Sequence, residues 1–260
     1  MSEYIQLHDY AKAMGVMKGD VVFISSDSKV MLMDAMMNNA AIDLNPFIDG
    51  LIEAVGSEGT ILFPTYNWAF CSGKTFDYVH TPCKTGSLGT VALKRSDFIR
   101  TKHPIYSFAV YGKDKEYLSA MNNTDSFGLD SPFAYLRDKN AVNYVIDVPL
   151  MHSFTFVHFA EEQSGAVKHR YIKNFTADYV DESGNCEKRT YSMFVRDLDM
   201  DVQTLIDPIE EDFIARGAAR RFTVNHSSIL RVELGKAYPI LIDDILNNNS
   251  RKLCTFKGQN

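Results

Sequence analysis

The sequence predicts a single α/β domain that carries an added β-hairpin towards its C-terminal end. The first 65 residues contain two apolar runs of buried-strand type with one helix between them. This strand–helix–strand order forms a crossover unit, which implies a parallel pair of strands. A polar turn within 175–195 predicts the hairpin. We therefore expect residues 1–260 to form one domain, with 175–200 as the hairpin addition.

The elements of the first quarter follow from apolar periodicity and from glycine and proline at element ends. Apolar residues at helical spacing follow Asn45-Pro46, where proline takes the first helical position, and Gly56 stops the helix. The Met-rich segment 28–42 fits neither period and is left unassigned. The predicted elements are a helix at 4–15 that ends at Gly15, a strand at 21–24, the helix between Asn45 and Gly56, and a strand at 60–63 that Pro64 ends.

The rest of the chain alternates between strand and helix signals. Ser131 is placed to cap a helix whose first residue is Pro132. The segment 181–185, which contains Asp, Gly and Asn, suits a tight turn between two strands. The predicted elements are a strand at 107–111, a helix beginning at 132–136, a strand at 142–148, a helix at 154–165, hairpin strands at 175–180 and 186–195, and closing helices at 208–217 and 236–247.

Composition and charge narrow the classes of function. The chain is 45% hydrophobic and 23% charged, as is usual for a globular protein, and its 260 residues can bury a substantial core. The net charge of −6 disfavours duplex nucleic acid and anionic membrane surfaces. A cationic partner suits this balance better. We expect no nucleic-acid and no membrane partner, and a homodimer is left open.

The cysteines and the N-terminal segment indicate the compartment. The cysteines at 71, 83, 186 and 254 are scattered, and none forms the Cys-x-x-Cys pair of a zinc ribbon or a redox motif. The first residues lack a basic region followed by an apolar run, and no segment approaches about 18 uncharged apolar residues. We therefore expect a reduced, soluble, cytoplasmic protein without a metal site.

The segment around His158 carries the candidate catalytic pair. His158 and Glu161 follow the predicted strand at 142–148 and lie one turn apart on one face if 154–165 is helical. A carboxylate beside an imidazole orients the ring and stabilises its protonated form, which suits a general base at neutral pH. The same spacing occurs by chance in many helices, so the pair alone does not establish catalysis.

Four motifs occur in a fixed order along the first two thirds of the chain. They are 19–26 (GDVVFISS), 55–66 (VGSEGTILFPTY), Leu88-Gly89 with 100–112 (RTKHPIYSFAVYG), and 127–132 (FGLDSP) followed by Thr155-x-x-His158-x-x-Glu161. In this order and at these spacings they resemble the aminoglycoside 3-N-acetyltransferase, or antibiotic N-acetyltransferase, family. The resemblance covers roughly residues 5–175, and its specificity comes from the set rather than from any single motif.

The resemblance implies a fold and a reaction. The fold would be a three-layer α/β/α sandwich around a mixed, largely parallel sheet. The reaction would transfer an acetyl group from acetyl-CoA, as co-substrate, to an amino group of an amino sugar, with no metal. His158 would be the catalytic base, since a protonated amine cannot attack a thioester, and Glu161 would hold and polarise the imidazole.

Five further residues are expected at the coenzyme. Ser25 and Ser26 follow a buried strand and match a serine pair that contacts coenzyme A in the family. Arg100 and His103 match a family segment that lies along the coenzyme, and a guanidinium suits its diphosphate. Ser107 is carried over from the same segment. Without the resemblance, an ordinary serine loop and an ordinary basic loop explain these residues as well.

Tyr66 and Trp68 are the candidates for contacting the acceptor. They follow Pro64 at the carboxyl end of a predicted strand, which is the edge where open α/β sheets bind ligands. An aromatic ring at that edge can stack against the face of a sugar. A purely structural aromatic explains the sequence equally well.

Departures from the family pattern leave the acceptor open. Ile24 stands where many members carry a histidine, and Asp27 where they carry an apolar residue. The segment 28–45 is longer than the matching loop, and Asp147 replaces a usual glycine. The acceptor is therefore either an aminoglycoside, as in antibiotic resistance, or an amino sugar carried on a nucleotide. Three or more acidic side chains around His158 would favour the first, and a mixed aromatic and basic lining the second.

Two other classes of function remain as alternatives. A metal-dependent hydrolase would use His152, His158 and Glu161, but the sequence lacks a compact His-Glu-x-x-His ligand set. A non-catalytic coenzyme A-binding protein on the same fold would not need the His158–Glu161 pair. No glycine-rich dinucleotide fingerprint or P-loop supports NAD or ATP chemistry.

Overall fold

A seven-stranded mixed sheet forms the centre of the computed structural model, which describes residues 4–256. The three central strands run parallel, and the strands on either side of them join antiparallel. Parallel pairing is thus confined to the middle of the sheet, which is mixed, as the resemblance implied, but not largely parallel. In spatial order the strands are β10 (Ala219–Val224), β11 (Ser227–Glu233), β6 (Val142–Ile146), β1 (Val21–Ser26), β2 (Thr60–Pro64), β5 (Phe108–Gly112) and β4 (Ile99–Arg100).

Helices cover both faces of this sheet, so the predicted α/β sandwich is confirmed. Strand β1 shows the division, because Phe23 packs into the core on one face while Val22 and Ile24 pack into the core on the other. The Phe23 face carries α5 (Lys115–Ala120), α6 (Pro132–Asp138), α7 (Leu150–Ser153), α8 (Phe156–Ser164), α9 (Ile209–Ala215) and α10 (Leu234–Asn247). The other face carries α1 (Tyr10–Met14), α2 (Lys29–Met37), α3 (Asn45–Val55) and α4 (Ser87–Ala92). Two 3₁₀ turns span Leu7–Asp9 and Trp68–Ser72.

The helix ends follow the local signals in the sequence. α3 begins at Asn45 with Pro46 in its first turn, and it ends at Gly56, whose φ of 63° is positive. Ser131 caps α6 by accepting a hydrogen bond from the Ala134 N–H at 3.4 Å. The predicted crossover from β1 through α3 to β2 is confirmed, because the two strands pair in parallel.

The Met-rich segment that the sequence left unassigned forms helix α2, directly after β1. Met33, Met36 and Met37 are exposed, which hides any apolar period in this helix. Asp34 is buried and lies 2.6 Å from His226 Nδ1. This contact ties α2 to the turn between β10 and β11.

The predicted hairpin is confirmed and is longer than expected. Asp181 closes its turn by accepting hydrogen bonds from the Ser183 and Asn185 N–H groups at 2.9 and 2.8 Å. Tyr179 and Tyr191 are buried in the same core as α8, so the hairpin is packed into the molecule. Its strands are β7 (Arg170–Val180) and β8 (Cys186–Arg196), β3 (Phe76–Asp77) pairs in parallel with β7, and a separate ladder joins β9 (Val202–Thr204) to β12 (Cys254–Phe256).

Strands β10 and β11 had no counterpart among the predicted elements. Arginines interrupt their apolar pattern, and these form surface ion pairs: Arg221 lies 2.6 Å from Glu210, and Arg231 lies 2.7 Å from Glu233. The pair nevertheless extends the sheet, since β11 pairs with β6. None of the helices between residues 4 and 256 is long and apolar enough to cross a membrane.

Candidate active site

A cavity of about 730 Å³ opens at the sheet edge where the parallel strands end. β1 ends at Ser26, β2 at Pro64 and β6 at Ile146, and all three run in one direction. Residues from the segments that follow these strands line the cavity. Its size and position are those of a small-molecule site in an open α/β sheet.

One part of the cavity favours an anionic group. Ser28 precedes α2 and Ser87 opens α4, and their hydroxyl groups share a short hydrogen bond, so two helix N-termini meet here. Lys29 and Lys84 line the same cavity. Asp27 is the one carboxylate in its lining among residues 4–256, and it lies 3.2 Å from Lys29. The balance of charge is positive.

The structure places Ser25 and Ser26 in the cavity lining. Ser25 is buried, and its hydroxyl lies 3.3 Å from both Asn143 Oδ1 and the Ser153 carbonyl oxygen. It therefore links β1 to β6 and to the segment that leads into α8. Ser26, at the end of β1, is half-buried and more accessible to a ligand.

Tyr66 and Trp68 line the cavity as well, in an aromatic cluster. Their ring centroids lie 6.4 Å apart, and Tyr106 packs edge-on against both, at 4.9 Å from Tyr66 and 6.3 Å from Trp68. Tyr66 is 3% exposed, whereas Trp68 is 41% exposed. Trp68 is therefore the ring with a surface to offer to a ligand.

His158 and Glu161 face each other on α8. The His158 Nδ1 atom lies 2.7 Å from Glu161 Oε2, which is the one-turn contact that the spacing predicts. Glu161 is 1% exposed, while the His158 side chain is 20% exposed. With Nδ1 bonded to the carboxylate, Nε2 is the nitrogen available for proton transfer.

His158 lies one helical turn beyond the cavity rather than in its lining. Thr155 does line the cavity, and its carbonyl oxygen accepts a hydrogen bond from the His158 N–H at 3.0 Å. Ring contacts also connect the two regions, from His158 to Phe127 at 5.9 Å, from Phe127 to Tyr106 at 5.0 Å, and from Tyr106 to Tyr66. The imidazole is thus connected through packed side chains and one turn of helix to Thr155 and Tyr66 of the cavity lining.

Arg170 contacts the same carboxylate. Arg170 begins β7, and its Nε lies 2.9 Å from Glu161 Oε2, the atom that also contacts His158. Its Nη1 donates to the Phe194 carbonyl oxygen on β8 at 3.4 Å. His169 Nε2 lies 3.9 Å from the other Glu161 oxygen. Glu161 therefore contacts both α8 and the hairpin.

These contacts keep His158 neutral and Glu161 ionised. Burial lowers the pKa of His158 and Arg170 lowers it further, and together they outweigh Glu161, which raises it. Burial raises the pKa of Glu161, but His158, Arg170 and His169 outweigh burial, and the pKa of this carboxyl lies below its usual value. The carboxylate does favour the imidazolium, as the sequence suggested, yet burial has the larger effect. A neutral imidazole is the form that accepts a proton.

The structure places Arg100 outside the lining of the cavity. Arg100 is 5% exposed and does not line the cavity. Its guanidinium donates to the Thr81 carbonyl oxygen at 2.6 Å and to Ser107 Oγ at 3.1 Å, and it lies 4.8 Å from the centre of the Phe76 ring. Burial lowers its pKa to about 10. These contacts hold loops together inside the protein.

His103 and Ser107 are buried in the same way, and neither lines the cavity. His103 Nδ1 accepts hydrogen bonds from the Ile105 and Tyr106 N–H groups at 3.3 and 3.1 Å, and burial lowers its pKa to about 3. Ser107 Oγ lies 3.0 Å from the Thr65 carbonyl oxygen. Both residues stabilise the loop next to β2.

The departures from the family pattern have separate physical consequences. Ile24 is buried in the core on the α1–α4 face, so this change does not reach a ligand, whereas Asp27 lines the cavity. Asp147 has a φ of 53°, a region that glycine enters without cost, and its Oδ1 accepts a hydrogen bond from the Ser228 N–H at 2.7 Å. The side chain thus compensates for the conformation at that position.

The ligand set of the hydrolase alternative is not assembled in the structure. Residues 4–256 contain no group of three or more His, Cys, Asp or Glu side chains placed to hold a metal ion. His152 lines the cavity, whereas Glu161 is engaged by His158 and Arg170. The side chains that a metal-dependent hydrolase would use as ligands are thus engaged in other contacts or are not placed together.

Sequence reasoning missed four residues of this region: Lys29, Lys84, Thr155 and Arg170. Thr155 carried a signal, because it precedes His158 by one turn in the motif. The two lysines and Arg170 carried none, since only the packing of separate segments brings them to the site.

Comparison with known proteins gives one family and one fold. The family model described as aminoglycoside 3-N-acetyltransferase matches residues 33–243. No curated protein matches the chain. Among solved structures, AAC-IIIb in a binary complex with CoASH is 17% identical and superimposes with a TM-score of 0.76, covering 93% of this chain and 95% of that one. The YokD protein from Bacillus subtilis is 20% identical with a TM-score of 0.74, over 95% and 94% of the two chains. Sisomicin-bound AAC-VIa is 20% identical with a TM-score of 0.75, over 92% and 96%. At these identities the structures establish the fold.

Proposed function

The chain belongs to the aminoglycoside 3-N-acetyltransferase family, and from that premise we propose that it acetylates an amino group of an aminoglycoside with His158 as the general base. Members of the family are N-acyltransferases that use acetyl-CoA, and this chain is likewise an acetyl-CoA-dependent N-acyltransferase. The observation that supports the assignment is the 2.7 Å contact between His158 and Glu161, one helical turn from Thr155 of the cavity lining.

The proposed reaction combines a proton transfer to His158 with the transfer of the acetyl group to the amine. His158 Nε2 removes a proton from the acceptor ammonium or from the amine as it attacks the thioester carbonyl carbon. The C–N bond forms, the C–S bond breaks, and coenzyme A leaves as the thiolate, which takes up a proton. Glu161 stabilises the imidazolium that His158 becomes.

We assign the cavity to acetyl-CoA. The Ser28–Ser87 corner, with Lys29 and Lys84, supports binding of the diphosphate. The Tyr66–Thr155 end, close to His158, supports placement of the thioester there. The relative AAC-IIIb was solved with CoASH, in agreement with this assignment. Ser26 is the serine that we expect to contact the coenzyme, because Ser25 is engaged with Asn143 and Ser153.

Family membership favours an aminoglycoside acceptor, and the relatives solved with sisomicin and apramycin agree with it. One observation favours the second candidate, an amino sugar on a nucleotide. The lining combines Tyr66 and Trp68 with Lys29 and Lys84, and it contains one carboxylate, Asp27, among the described residues. That mixture suits an anionic carrier better than a polycation.

A panel assay separates the two acceptors. Release of the coenzyme A thiol is followed with the purified chain, acetyl-CoA, sisomicin, apramycin and a set of nucleotide-linked amino sugars, with His158→Asn as the inactive control. The proposal predicts kcat/KM for an aminoglycoside well above that for every nucleotide-linked sugar. The reverse order would establish the second candidate, and no turnover with either class would refute both.

Three sequence predictions are part of the same proposal. We propose that residues 4–256 act as one acetyltransferase domain, which is supported by hairpin and closing-helix residues that share one core with α8. The cytoplasmic location and the homodimer stay predictions.

A further inference from the structure

Tyr66 is buried at the cavity with its hydroxyl group unused. The residue is 3% exposed and lines the cavity, yet its oxygen makes no well-formed hydrogen bond within residues 4–256. Burial raises the pKa of Tyr66 well above its usual value, so the group keeps its proton. A buried hydroxyl without an acceptor is unfavourable unless a ligand completes it.

The protein fixes this ring firmly. The Tyr66 N–H donates to Thr85 Oγ1 at 3.1 Å, and its carbonyl oxygen accepts from the Lys84 N–H at 3.0 Å. The ring packs edge-on against Tyr106 at 4.9 Å and Phe108 at 5.3 Å. A rigid donor is what electrostatic stabilisation of a transition state needs, because it does not have to reorganise during the reaction.

The Tyr66 hydroxyl lies next to the side chain of another residue of the cavity lining. The Thr155 side chain is the polar group beside it, and Thr155 lies one turn before His158 on the same helix entry. Tyr144, by contrast, also has a buried and unpaired hydroxyl, but it lies in the core on the opposite face of the sheet and lines no part of the cavity. The position of Tyr66 at the cavity therefore distinguishes its unpaired hydroxyl group from that of Tyr144.

We propose that the Tyr66 hydroxyl is a catalytic hydrogen-bond donor to the thioester carbonyl oxygen of acetyl-CoA. This inference rests on the proposed function. When the amine nitrogen attacks the carbonyl carbon, the electron pair of the C=O double bond moves onto its oxygen, where Tyr66 stabilises the negative charge. When the pair returns, the C–S bond breaks and the thiolate leaves. Tyr66 keeps its proton throughout, and His158 takes the proton of the amine.

The proposal gives Tyr66 a role distinct from stacking on a sugar, the role that the sequence suggested. Stacking would depend on the ring, which a phenylalanine retains. Donation depends on the oxygen alone. Tyr66→Phe therefore separates the two roles, and Tyr144→Phe is the matched control because it removes an equally buried hydroxyl away from the cavity.

The decisive measurement is the infrared stretch of the thioester carbonyl in bound acetyl-CoA that carries ¹³C at the acetyl carbonyl. Wild type and Tyr144→Phe should shift this band to lower frequency relative to the ligand in water-free solvent, and Tyr66→Phe should lose the shift. The same band position in Tyr66→Phe and wild type would overturn the proposal, whichever acceptor the enzyme uses.

Steady-state rates give the second readout. Tyr66→Phe should lower kcat by roughly 10²–10³-fold, the usual effect of removing one oxyanion donor, with KM for acetyl-CoA nearly unchanged. If His158→Asn is inactive while Tyr66→Phe keeps its kcat, the role of Tyr66 is refuted and the proposed function stands. If the wild-type protein fails to bind acetyl-CoA, the role of Tyr66 and the proposed function are both refuted.

Discussion

Replacing Glu161 by Gln removes one charge and almost no volume, so it isolates the electrostatic part of the catalytic pair. Glu161 Oε2 lies 2.7 Å from His158 Nδ1, and an amide oxygen in its place still accepts a hydrogen bond and holds the ring. The charge that stabilises the imidazolium is lost. Arg170, 2.9 Å from the same oxygen, is left without its counter-ion and opposes the imidazolium further.

The size of the effect follows from these contacts. A hydrogen bond to a charged group contributes about 1.5–3 kcal/mol, and about 1.36 kcal/mol changes a rate tenfold. We expect kcat of Glu161→Gln to fall roughly 10- to 150-fold at neutral pH. Because Glu161 raises the pKa of His158, the acidic limb of the pH–rate profile should move to lower pH in the variant, and the deficit should narrow as the pH falls.

The assay is thiol release, measured across the pH range in which histidine titrates. Glu162→Gln is the control, since burial, with help from Asp125, raises the pKa of Glu162 to about 8 and an amide resembles its protonated form. Thermal unfolding detects any damage from the unpaired Arg170, and the double variant Glu161→Gln/Arg170→Met restores the charge balance. An unchanged rate in Glu161→Gln, or an acidic limb displaced to higher pH, would refute the reasoning.

The remaining predictions concern four other side chains. His158→Asn should lower kcat by roughly 10²–10⁴-fold while calorimetry shows normal acetyl-CoA binding, and near-normal turnover would exclude His158 as the base. Arg170→Met should move the acidic limb to higher pH, because Arg170 lowers the pKa of His158; a fixed limb would mean that the two charges are not coupled. Lys29→Ala should raise KM for acetyl-CoA, most at low salt, and leave KM of the acceptor alone; equal changes in both would place Lys29 elsewhere. Arg100→Met should cost roughly 2–3 kcal/mol of stability in denaturant titration without changing KM for acetyl-CoA, and a raised KM would restore its place at the coenzyme.

The sequence predicted those elements whose signals are local. Pro46 and Gly56 mark the two ends of α3, and the segment 181–185 supplies the turn of the hairpin. Helix α2 was not predicted, because three exposed methionines blur its apolar period. Strands β10 and β11 were not predicted either, because arginines interrupt the apolar pattern of both. The edge position of β10 tolerates them, and on β11 the 2.7 Å contact with Glu233 accommodates Arg231.

The distinction between local and non-local signals applies to the site as well. The contact between His158 and Glu161 was predictable because one turn of one helix joins the two residues. The contact with Arg170 was not, because a strand of the hairpin delivers it from outside that helix. The internal contacts of Arg100 were not predictable either: its type suits a diphosphate, and only the surrounding loops reveal that its donors are used internally.

The two ends of the hairpin differ in how well they suit a label or an insertion. Arg170 is the first residue of β7, and β8 anchors the segment before Phe127, where the Ser126 N–H donates to the Ser192 carbonyl oxygen at 3.1 Å. The base of the hairpin therefore contacts the proposed catalytic pair through Arg170, while its tip is exposed at 182–185. A label or a fused peptide belongs at the tip. An insertion at the base would displace Arg170 and so change the pKa of His158 without contacting the imidazole.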